Sequence, residues 1–215
     1  MTTREITLAH PGATRRAVRH LKRADPVLAR VIEHVGACRL AVRSDGAHFD
    51  HLVRAIVYQQ LSGKAAATIH GRVHGLYGDR PPTPAELAAT PAARLRRAGL
   101  SRQKLGYLKD LARHAASGRL AFDELVALPD EAVIEALTTI RGVGVWTAQM
   151  FLMFRLGRLD VLPVLDLGIQ KGMRQAYKLR RLPKPTQMER IAAAWRPYRS
   201  VACWYLWRAT EVALP

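Results

Sequence analysis

The chain has 215 residues, of which 49% are hydrophobic and 24% are charged, a balance typical of folded globular proteins that excludes an intrinsically disordered chain. Its 34 Lys and Arg residues outnumber 17 Asp and Glu residues, which gives a formal net charge of +17 at pH 7. A compact fold with this excess repels itself, and it is tolerated most easily when the partner is a polyanion such as nucleic acid.

Two further classes of protein are disfavoured by the sequence. No apolar run approaches the ~18 residues that a membrane-spanning helix requires, and the first residues lack the apolar stretch of a secretory signal. We therefore expect no membrane partner and an intracellular, cytoplasmic protein. The two cysteines, Cys38 and Cys203, cannot supply the four thiolates of a structural zinc site or an iron–sulfur cluster, and a disulfide is not expected in a reducing compartment.

Helical spacing of apolar residues extends from residue 49 to the end of the chain. Apolar residues between Phe49 and Leu61 share one helix face, and a second helix follows the break at Ser62-Gly63. The N-terminal forty residues are less clear. The piece at 37–42 is either extended or the tail of a helix that begins near Pro26.

Capping residues predict the next helix boundaries. Thr83-Pro84-Ala85-Glu86 has the form of a capping box. The remaining predicted helices lie between Thr90 and Gly99, between the cap Ser101 and Gly118, from Glu131 to Thr138 with Asp130 as the cap, and from Trp146 to Leu156 before Gly157. Since no convincing alternating strand pattern occurs between residues 49 and 215, we predict an all-α fold with residues 1–215 forming one compact unit of two helical lobes.

Positive charge is concentrated in two segments. Residues 94–113 contain seven basic residues and one acidic residue, and residues 167–199 contain nine basic residues and one acidic residue. Either run alone is compatible with a solvated helix face. Two such runs in a basic chain favour contact with phosphates.

The turn Gly142-Val143-Gly144 joins two predicted helices, and Trp146 follows it closely. Two glycines allow a close backbone approach, and they leave amides at a helix N-terminus that can bind an anion. Such a grip on phosphate has no sequence preference. An ordinary helix–helix turn has the same local pattern, but the basic chain and the nearby indole favour DNA binding.

These residues resemble the helix–hairpin–helix of one superfamily of DNA glycosylases, with the hairpin at residues 131–156. Downstream, residues 160–168 (DVLPVLDLG) are similar to the segment that contains the family's catalytic aspartate, and residues 195–207 resemble its closing helix. Upstream, residues 56–62 (IVYQQLS) are similar to the segment that plugs the duplex. The resemblance extends over residues 45–212 and points to the DNA-3-methyladenine glycosylase II group, which excises alkylated bases.

The resemblance implies that Asp166 is the catalytic carboxylate. It stands where a helix is expected to begin, so the helix dipole and free amides would stabilise its charge. A carboxylate close to the anomeric carbon stabilises the oxocarbenium character that develops as an N-glycosidic bond breaks. A plain N-cap aspartate is the alternative role for this residue, and Asp160 is the competing carboxylate, which we expect to be structural.

Base excision from a duplex requires that the nucleotide be rotated out and the gap be filled. The resemblance assigns the plug to Gln60 and Leu61, with Gln59 lining the entry. An alkylated purine carries positive charge, which attracts it to electron-rich rings. The expected pocket is formed by Trp146, Met150, Leu167 and Trp207, although tryptophans in helical proteins are often core residues instead. Met150 and Leu167 stand where some relatives have tyrosines.

The phosphate grip is expected at Gly142, Val143, Gly144 and Thr147, through backbone amides and the threonine hydroxyl. In the family, hairpin carbonyls can hold a monovalent cation, but no other cofactor is expected and no metal site formed by side chains. His70 and His74 are four residues apart, a spacing that could bind metal. With no third ligand evident in the sequence, we expect exposed or snorkelling histidines and no metal site here.

The resemblance implies a monofunctional enzyme acting as a monomer on double-stranded DNA with damaged bases. Trp146 matches the position at which bifunctional members have a nucleophilic lysine, so a Schiff-base lyase step is not expected. Two alternatives stay open at this point: a helix–hairpin–helix module that binds DNA without chemistry, and a glycosylase for hypoxanthine, an etheno adduct or uracil.

Overall fold

A computed structural model describes residues 8, 12–43 and 45–212. These residues form twelve α-helices and two short 3-10 helices, and no β-strand is found among them, which confirms the predicted all-α class. The α-helices are α1 (Ala13–Ala24), α2 (Pro26–Val35), α3 (His48–Tyr58), α4 (Gly63–Gly75), α5 (Pro84–Ala89), α6 (Ala92–Arg97), α7 (Arg102–Ala116), α8 (Asp130–Thr138), α9 (Val145–Phe154), α10 (Leu167–Ala176), α11 (Pro185–Ala192) and α12 (Arg199–Ala209). None of the described helices is long and apolar enough to cross a membrane.

The chain divides into two compact units. The discontinuous unit comprises residues 1–43 and 152–215, and the continuous unit comprises residues 44–151. Since the chain passes from one to the other within α9, that helix contributes residues to both.

The discontinuous unit packs α1, α2 and α10 to α12 around Trp195 and Tyr205, both fully buried. Asp25 begins α2: its Oδ1 accepts from the Val27 and Leu28 amides, at 2.9 and 3.0 Å. Its Oδ2 accepts from the indole N–H of Trp195 at 2.8 Å and also from the Tyr177 hydroxyl. One buried carboxylate therefore joins a helix start to two aromatic side chains of the core.

The continuous unit is built around α7, which packs against α3, α5 and α6. The buried face of α3 consists of Phe49, Leu52, Val53, Ile56 and Val57, as the helical spacing predicts. Leu108 and Leu111 of α7 are fully buried. The loops that follow α3 and α8 are thus attached to a rigid helical support.

Most predicted caps are confirmed. Thr83 and Glu86 form the reciprocal capping box, and Ser101 caps α7. Ser62, which the sequence marked only as a break between helices, caps α4. One cap prediction is wrong: Asp130 is the first residue of α8, and Pro129 occupies the cap position. The fixed φ of proline suits a helix entrance and leaves the acidic side chain in the first turn.

The N-terminal ambiguity is resolved by the structure. α2 begins at Pro26 and ends at Val35, and residues 38–43 are not helical. The Arg43 amide donates to the Phe154 carbonyl at 2.8 Å, which ties this extended piece to the end of α9. We made no prediction for α1 or α11 from the sequence. The buried residues are Ala13, Ala17 and Leu21 in α1 and Met188 and Ala192 in α11.

Candidate active site and DNA-binding hairpin

Asp166 is the N-cap of α10, as predicted. Its Oδ1 accepts from the Ile169 amide at 2.8 Å, and its side chain is largely buried, with 9% of the residue exposed. A capped helix N-terminus supplies both a donor and a favourable dipole to a carboxylate. The local sequence therefore holds an acidic group in one orientation with little rotameric freedom.

The indole N–H of Trp207 donates to the same Oδ1 at 2.9 Å. Gly168 makes this approach possible, because a Cβ at that position would lie 2.8 Å from Trp207 Cδ1 and 3.1 Å from Asp166 Oδ1. One turn further along α10, a Cβ on Gly172 would lie 2.1 Å from the Leu206 carbonyl oxygen. The two glycines thus allow α12 to pack closely on α10, which places the indole over the carboxylate.

We expected Trp207 to form a wall of the base pocket. In the structure its indole N–H also donates to Asp166, a contact that the sequence spacing did not predict. Its ring stacks on Phe154 at a centroid distance of 5.8 Å and an interplanar angle of 26°. The ring is half-buried, whereas Leu167 and Leu165, on either side of Asp166, are 53% and 67% exposed. In this unit the acidic group is therefore surrounded by an oriented indole and two accessible apolar side chains.

Substitution Gly168→Ala tests whether the indole orients the carboxylate. The added methyl displaces Trp207 from Asp166, and we expect base release to slow by about 10- to 100-fold. The free energy of unfolding should change by less than about 1 kcal/mol, because alanine favours a helix. The measurement is kcat/KM together with the melting temperature.

A matched control is Gly106→Ala on α7, where a Cβ meets nothing within 4 Å. This variant should release base at the wild-type rate. An unaltered rate in Gly168→Ala would exclude a positioning role for the indole.

Asp160, the competing carboxylate, is held by ion pairs. Its side-chain oxygens accept from Arg199 at 2.7 and 3.0 Å and from Arg196 at 3.1 Å. Two guanidinium groups thus hold it at the start of α12. This arrangement supports the expected structural role.

The hairpin between α8 and α9 is held by its first glycine. Gly142 has φ +83°, and a Cβ there would lie 2.2 Å from the ring of Tyr107. The Val143 amide donates to the Ile140 carbonyl at 3.0 Å and closes the turn. Glycine is therefore required at residue 142 both by the left-handed backbone and by the aromatic ring beneath it.

The predicted phosphate-gripping residues differ in exposure. Gly144 and Val145 are exposed at the start of α9, whereas Val143 and Thr147 are buried, with 4% and 8% of each residue exposed. The burial of Thr147 disfavours the hydroxyl contact that we expected. Since the Val143 amide also donates within the turn, the backbone at Gly142 and Gly144 is the part of the predicted phosphate grip that the structure leaves accessible.

Trp146 is 45% exposed and Met150 is half-buried, both on α9. The alternative, that Trp146 is a core residue, is therefore wrong for this side chain. Trp195 is instead the fully buried tryptophan of the discontinuous unit.

The support for the hairpin comes from α7, and sequence reasoning missed it. Besides Tyr107 under Gly142, the Asp110 Oδ2 accepts from the Arg141 amide at 2.9 Å. Lys104 Nζ donates to the carbonyls of Val57 and Gln59, at 2.6 Å each. These three positions, three residues apart on one helix face, fix both the hairpin and the end of α3.

The predicted plug follows α3. The Gln59 side chain donates from Nε2 to the Gly142 carbonyl at 2.9 Å, which brings the plug segment and the hairpin together. Gln60 has φ +55° and is exposed, and Leu61 is 40% exposed. The left-handed backbone at Gln60 turns the chain outward, so Gln60 and Leu61 project from the unit. The Gln59 side chain anchors this segment to the hairpin.

The two basic segments differ in structure. In residues 94–113, Lys104 and Lys109 are half-buried and donate to backbone carbonyls, and burial lowers the pKa of each amine. These two lysines therefore stabilise the unit, and the interpretation of the whole run as a phosphate-binding surface is too broad. In residues 167–199, by contrast, most basic side chains are exposed, namely Lys171, Arg174, Lys178, Arg180, Arg181, Lys184 and Arg190.

One expectation about the histidines is wrong. His70 and His74 are partly buried, and Asp50 of α3 lies beside them, so a third group with a metal-ligating atom is present. Asp50 is twenty residues upstream, and only the packing of α3 on α4 brings it into reach.

Comparison with known proteins agrees with this arrangement. The family model described as "HhH-GPD superfamily base excision DNA repair protein" matches residues 53–197. DNA-3-methyladenine glycosylase 1 of Schizosaccharomyces pombe is 35% identical over 167 residues, which are 77% of this chain and 73% of that protein. The structure of the S. pombe 3-methyladenine DNA glycosylase in complex with abasic DNA is 32% identical with a TM-score of 0.82, over 93% of this chain and 98% of the other. A DNA-3-methyladenine glycosidase from Bacillus halodurans is 39% identical with a TM-score of 0.83, over 96% of this chain and 92% of the other. The chain therefore belongs to the HhH-GPD superfamily of base excision DNA repair proteins.

Proposed function

We propose that this chain is a monofunctional DNA glycosylase that extrudes an alkylated purine, of the 3-methyladenine or 7-methylguanine type, and hydrolyses its N-glycosidic bond in base excision repair. The observation that carries the proposal is the Asp166 carboxylate, capped on α10 and held by the Trp207 indole. It supplies a fixed negative charge in a protein whose relatives are named as glycosylases for alkylated bases.

The reaction uses the positive charge of the alkylated purine. Cleavage of the bond between C1′ and the base nitrogen sends the electron pair to the base, which leaves neutral, and the sugar takes up oxocarbenium character. Asp166 stabilises this charge electrostatically. Water then bonds to C1′ through its oxygen and loses a proton, which Asp166 is placed to accept.

The Trp207 hydrogen bond has two consequences for this step. It restricts the carboxylate to one orientation, so that less reorganisation is needed as charge develops. It also presents the ring beside the acid, where an electron-rich face attracts a cationic base. We assign further contacts with the base to Leu167, Trp146 and Met150. Because these side chains are largely apolar, we expect the shape of the base to select the lesion more than hydrogen bonds to it.

DNA is held by groups in the continuous unit. The amides of Gly142 and Gly144 bind phosphate, whereas the Val143 amide closes the turn onto Ile140. Gln60 with Leu61 fills the gap left by the extruded nucleotide. The hydrolysis described here uses water and a carboxylate. We keep the proposal of a monovalent cation at the hairpin, because the carbonyls of Ile140, Gly142 and Gly144 each accept one hydrogen bond and retain a second lone pair.

The product is expected to be an intact strand with an abasic site. Trp146 takes the position of the lysine nucleophile of bifunctional relatives, so no amine is assigned to attack the sugar. We propose that the protein acts as a monomer on double-stranded DNA inside the cell.

A set of duplexes, each with one lesion, tests substrate and product together. The duplexes contain 3-methyladenine, 7-methylguanine, hypoxanthine, an etheno adduct or uracil, and each reaction is divided into three parts, treated with alkali, with borohydride or not at all. We expect strand breaks only after alkali and only with the alkylated purines. A borohydride-trapped adduct would contradict the lyase-free assignment, and equal binding of all duplexes with no excision would favour a DNA-binding module without chemistry.

A further inference from the structure

Three side chains with metal-ligating atoms, none of them assigned to excision, meet between α3 and α4. Asp50 Oδ1 lies 3.1 Å from His74 Nε2 and 3.9 Å from His70 Nε2. The candidate ligand atoms of the three residues all lie within 4.8 Å of one another. Two ligands of a tetrahedral zinc ion stand about 3.3 Å apart when each bond is about 2.0 Å long. Small rotations of the three side chains therefore suffice to place one ion among them.

His70 supplies the second observation. Its Nε2 is buried and has no hydrogen-bond partner, while its side chain is only 14% exposed. A buried ring nitrogen without a partner is costly, and a bound ion would satisfy it. The His70 and His74 rings are tilted against each other with centroids 4.1 Å apart.

We propose that Asp50, His70 and His74 form a binding site for a divalent transition metal ion, with Zn²⁺ as the natural candidate. Two imidazoles and one carboxylate are a ligand set that suits zinc, cobalt and nickel better than magnesium or calcium. Three protein ligands leave a fourth position for water.

The charges around the site set its strength. Asp50 contributes one negative charge, whereas Arg54, whose guanidinium lies 3.7 Å over the Tyr58 ring, contributes a positive charge on the neighbouring turn of α3. We expect micromolar affinity.

The position of the site defines what the metal would do. Asp50 is in the first turn of α3, about 12 Å along the helix from Tyr58 at its end. His70 and His74 are in the second half of α4. The ion would therefore clasp this pair of helices. Because the His70 ring lies 6.2 Å from the ring of Tyr58, the last residue of α3, the ion would also restrain the base of the loop that contains Gln60 and Leu61.

Titration of the untagged, metal-free protein with Co²⁺ and Zn²⁺ tests the proposal. We expect one ion per chain, visible absorption typical of tetrahedral cobalt, and a melting temperature that rises with zinc concentration. Hydrogen exchange of the amides in residues 48–75 should become slower when zinc is added. Binding of neither ion at micromolar protein concentration would overturn the proposal.

Variants separate a metal site from a structural cluster. His70→Gln, His74→Gln and Asp50→Asn should each weaken metal binding by about 10- to 100-fold or more. His114→Gln is the matched control, because His114 also stands beside an aspartate, Asp110, on a helix of the same unit. His114→Gln should bind the ion as the wild type does.

The variants need a folding measurement in chelator. His70→Gln keeps a polar side chain of similar reach but loses the ring contacts with Tyr58 and His74, so its melting temperature in chelator shows whether the variant is folded before its metal affinity is compared with that of the wild type. Equal metal affinity in His70→Gln and the wild type would overturn the proposal. None of these measurements depends on base excision, so their outcome and that of the proposed function are independent.

Discussion

Asp166→Asn should lower the rate of base release by about 10²- to 10³-fold or more and leave the fold intact. Asparagine is as good an N-cap as aspartate, and its amide oxygen accepts from the Ile169 amide and the Trp207 indole in the same way. The substitution removes the negative charge and replaces Oδ2 with an NH₂ group, while the oxygen that accepts these two hydrogen bonds is kept. Binding to a duplex with an abasic site should therefore be retained, as measured by titration of labelled DNA, while release is followed under saturating enzyme.

Asp25→Asn is a close control in the same unit. Asp25 is also a helix N-cap that accepts from a tryptophan N–H, but it lies in the core and its second oxygen accepts two side-chain donors. An amide NH₂ facing those donors should lower the free energy of unfolding by about 1–3 kcal/mol. The rate per folded molecule should not change. If Asp166→Asn excised bases at the wild-type rate, the electrostatic role of Asp166 would be wrong.

Gly142→Ala should be the most destabilising single-methyl change in the hairpin. A left-handed backbone costs an alanine about 1–2 kcal/mol, and the new methyl at 2.2 Å from the Tyr107 ring adds about 1–3 kcal/mol of overpacking. We expect the free energy of unfolding to fall by about 2–5 kcal/mol. DNA affinity should fall as well, because the amides of the turn and the Gln59 anchor move with residue 142.

Gly144→Ala tests whether the loss of stability comes from the contact with Tyr107 or from the loss of any glycine in the hairpin. A Cβ there meets nothing within 4 Å, and the residue is not among those with positive φ. Its melting temperature in denaturation experiments should stay within a few degrees of that of the wild type. If both variants were equally stable, the close contact between Gly142 and Tyr107 would not hold the hairpin.

The parts of the fold that sequence predicted are those fixed by neighbours in the chain. Thr83 with Glu86, Ser62 and Ser101 mark helix starts because their side chains bond to amides two or three residues away. Asp166 at the start of α10 belongs to the same class. The exposed turn at Gly144 followed from the glycines themselves.

The parts that could not be predicted depend on residues distant in the chain. The hydrogen bond between Trp207 and Asp166 spans 41 positions, and it forms because Gly168 and Gly172 let two helices approach. Tyr107 beneath Gly142 and Asp50 beside His70 likewise require the packing of separate helices. Spacing within one helix identifies His70 and His74 as a pair, but it cannot identify Asp50, which lies on another helix.

Charge composition predicted a polyanionic partner more reliably than it identified the contacts. The net charge of +17 indicated nucleic acid, yet Lys104 and Lys109 use their ammonium groups to hold backbone carbonyls within the continuous unit. A lysine in a basic run is available to phosphate only if its side chain reaches solvent. Whether the side chain reaches solvent depends on which face of the helix the lysine occupies, and the number of charges in the segment does not determine this.

Free bases released from DNA treated with a methylating agent give the most direct test of the central claim, that a fixed carboxylate lets this chain hydrolyse the glycosidic bond of alkylated purines. The released bases are separated by chromatography after incubation with the wild-type protein and with Asp166→Asn. We predict that 3-methyladenine and 7-methylguanine appear with the wild type alone, while both proteins bind the DNA. Binding without any released base from the wild type would contradict the account.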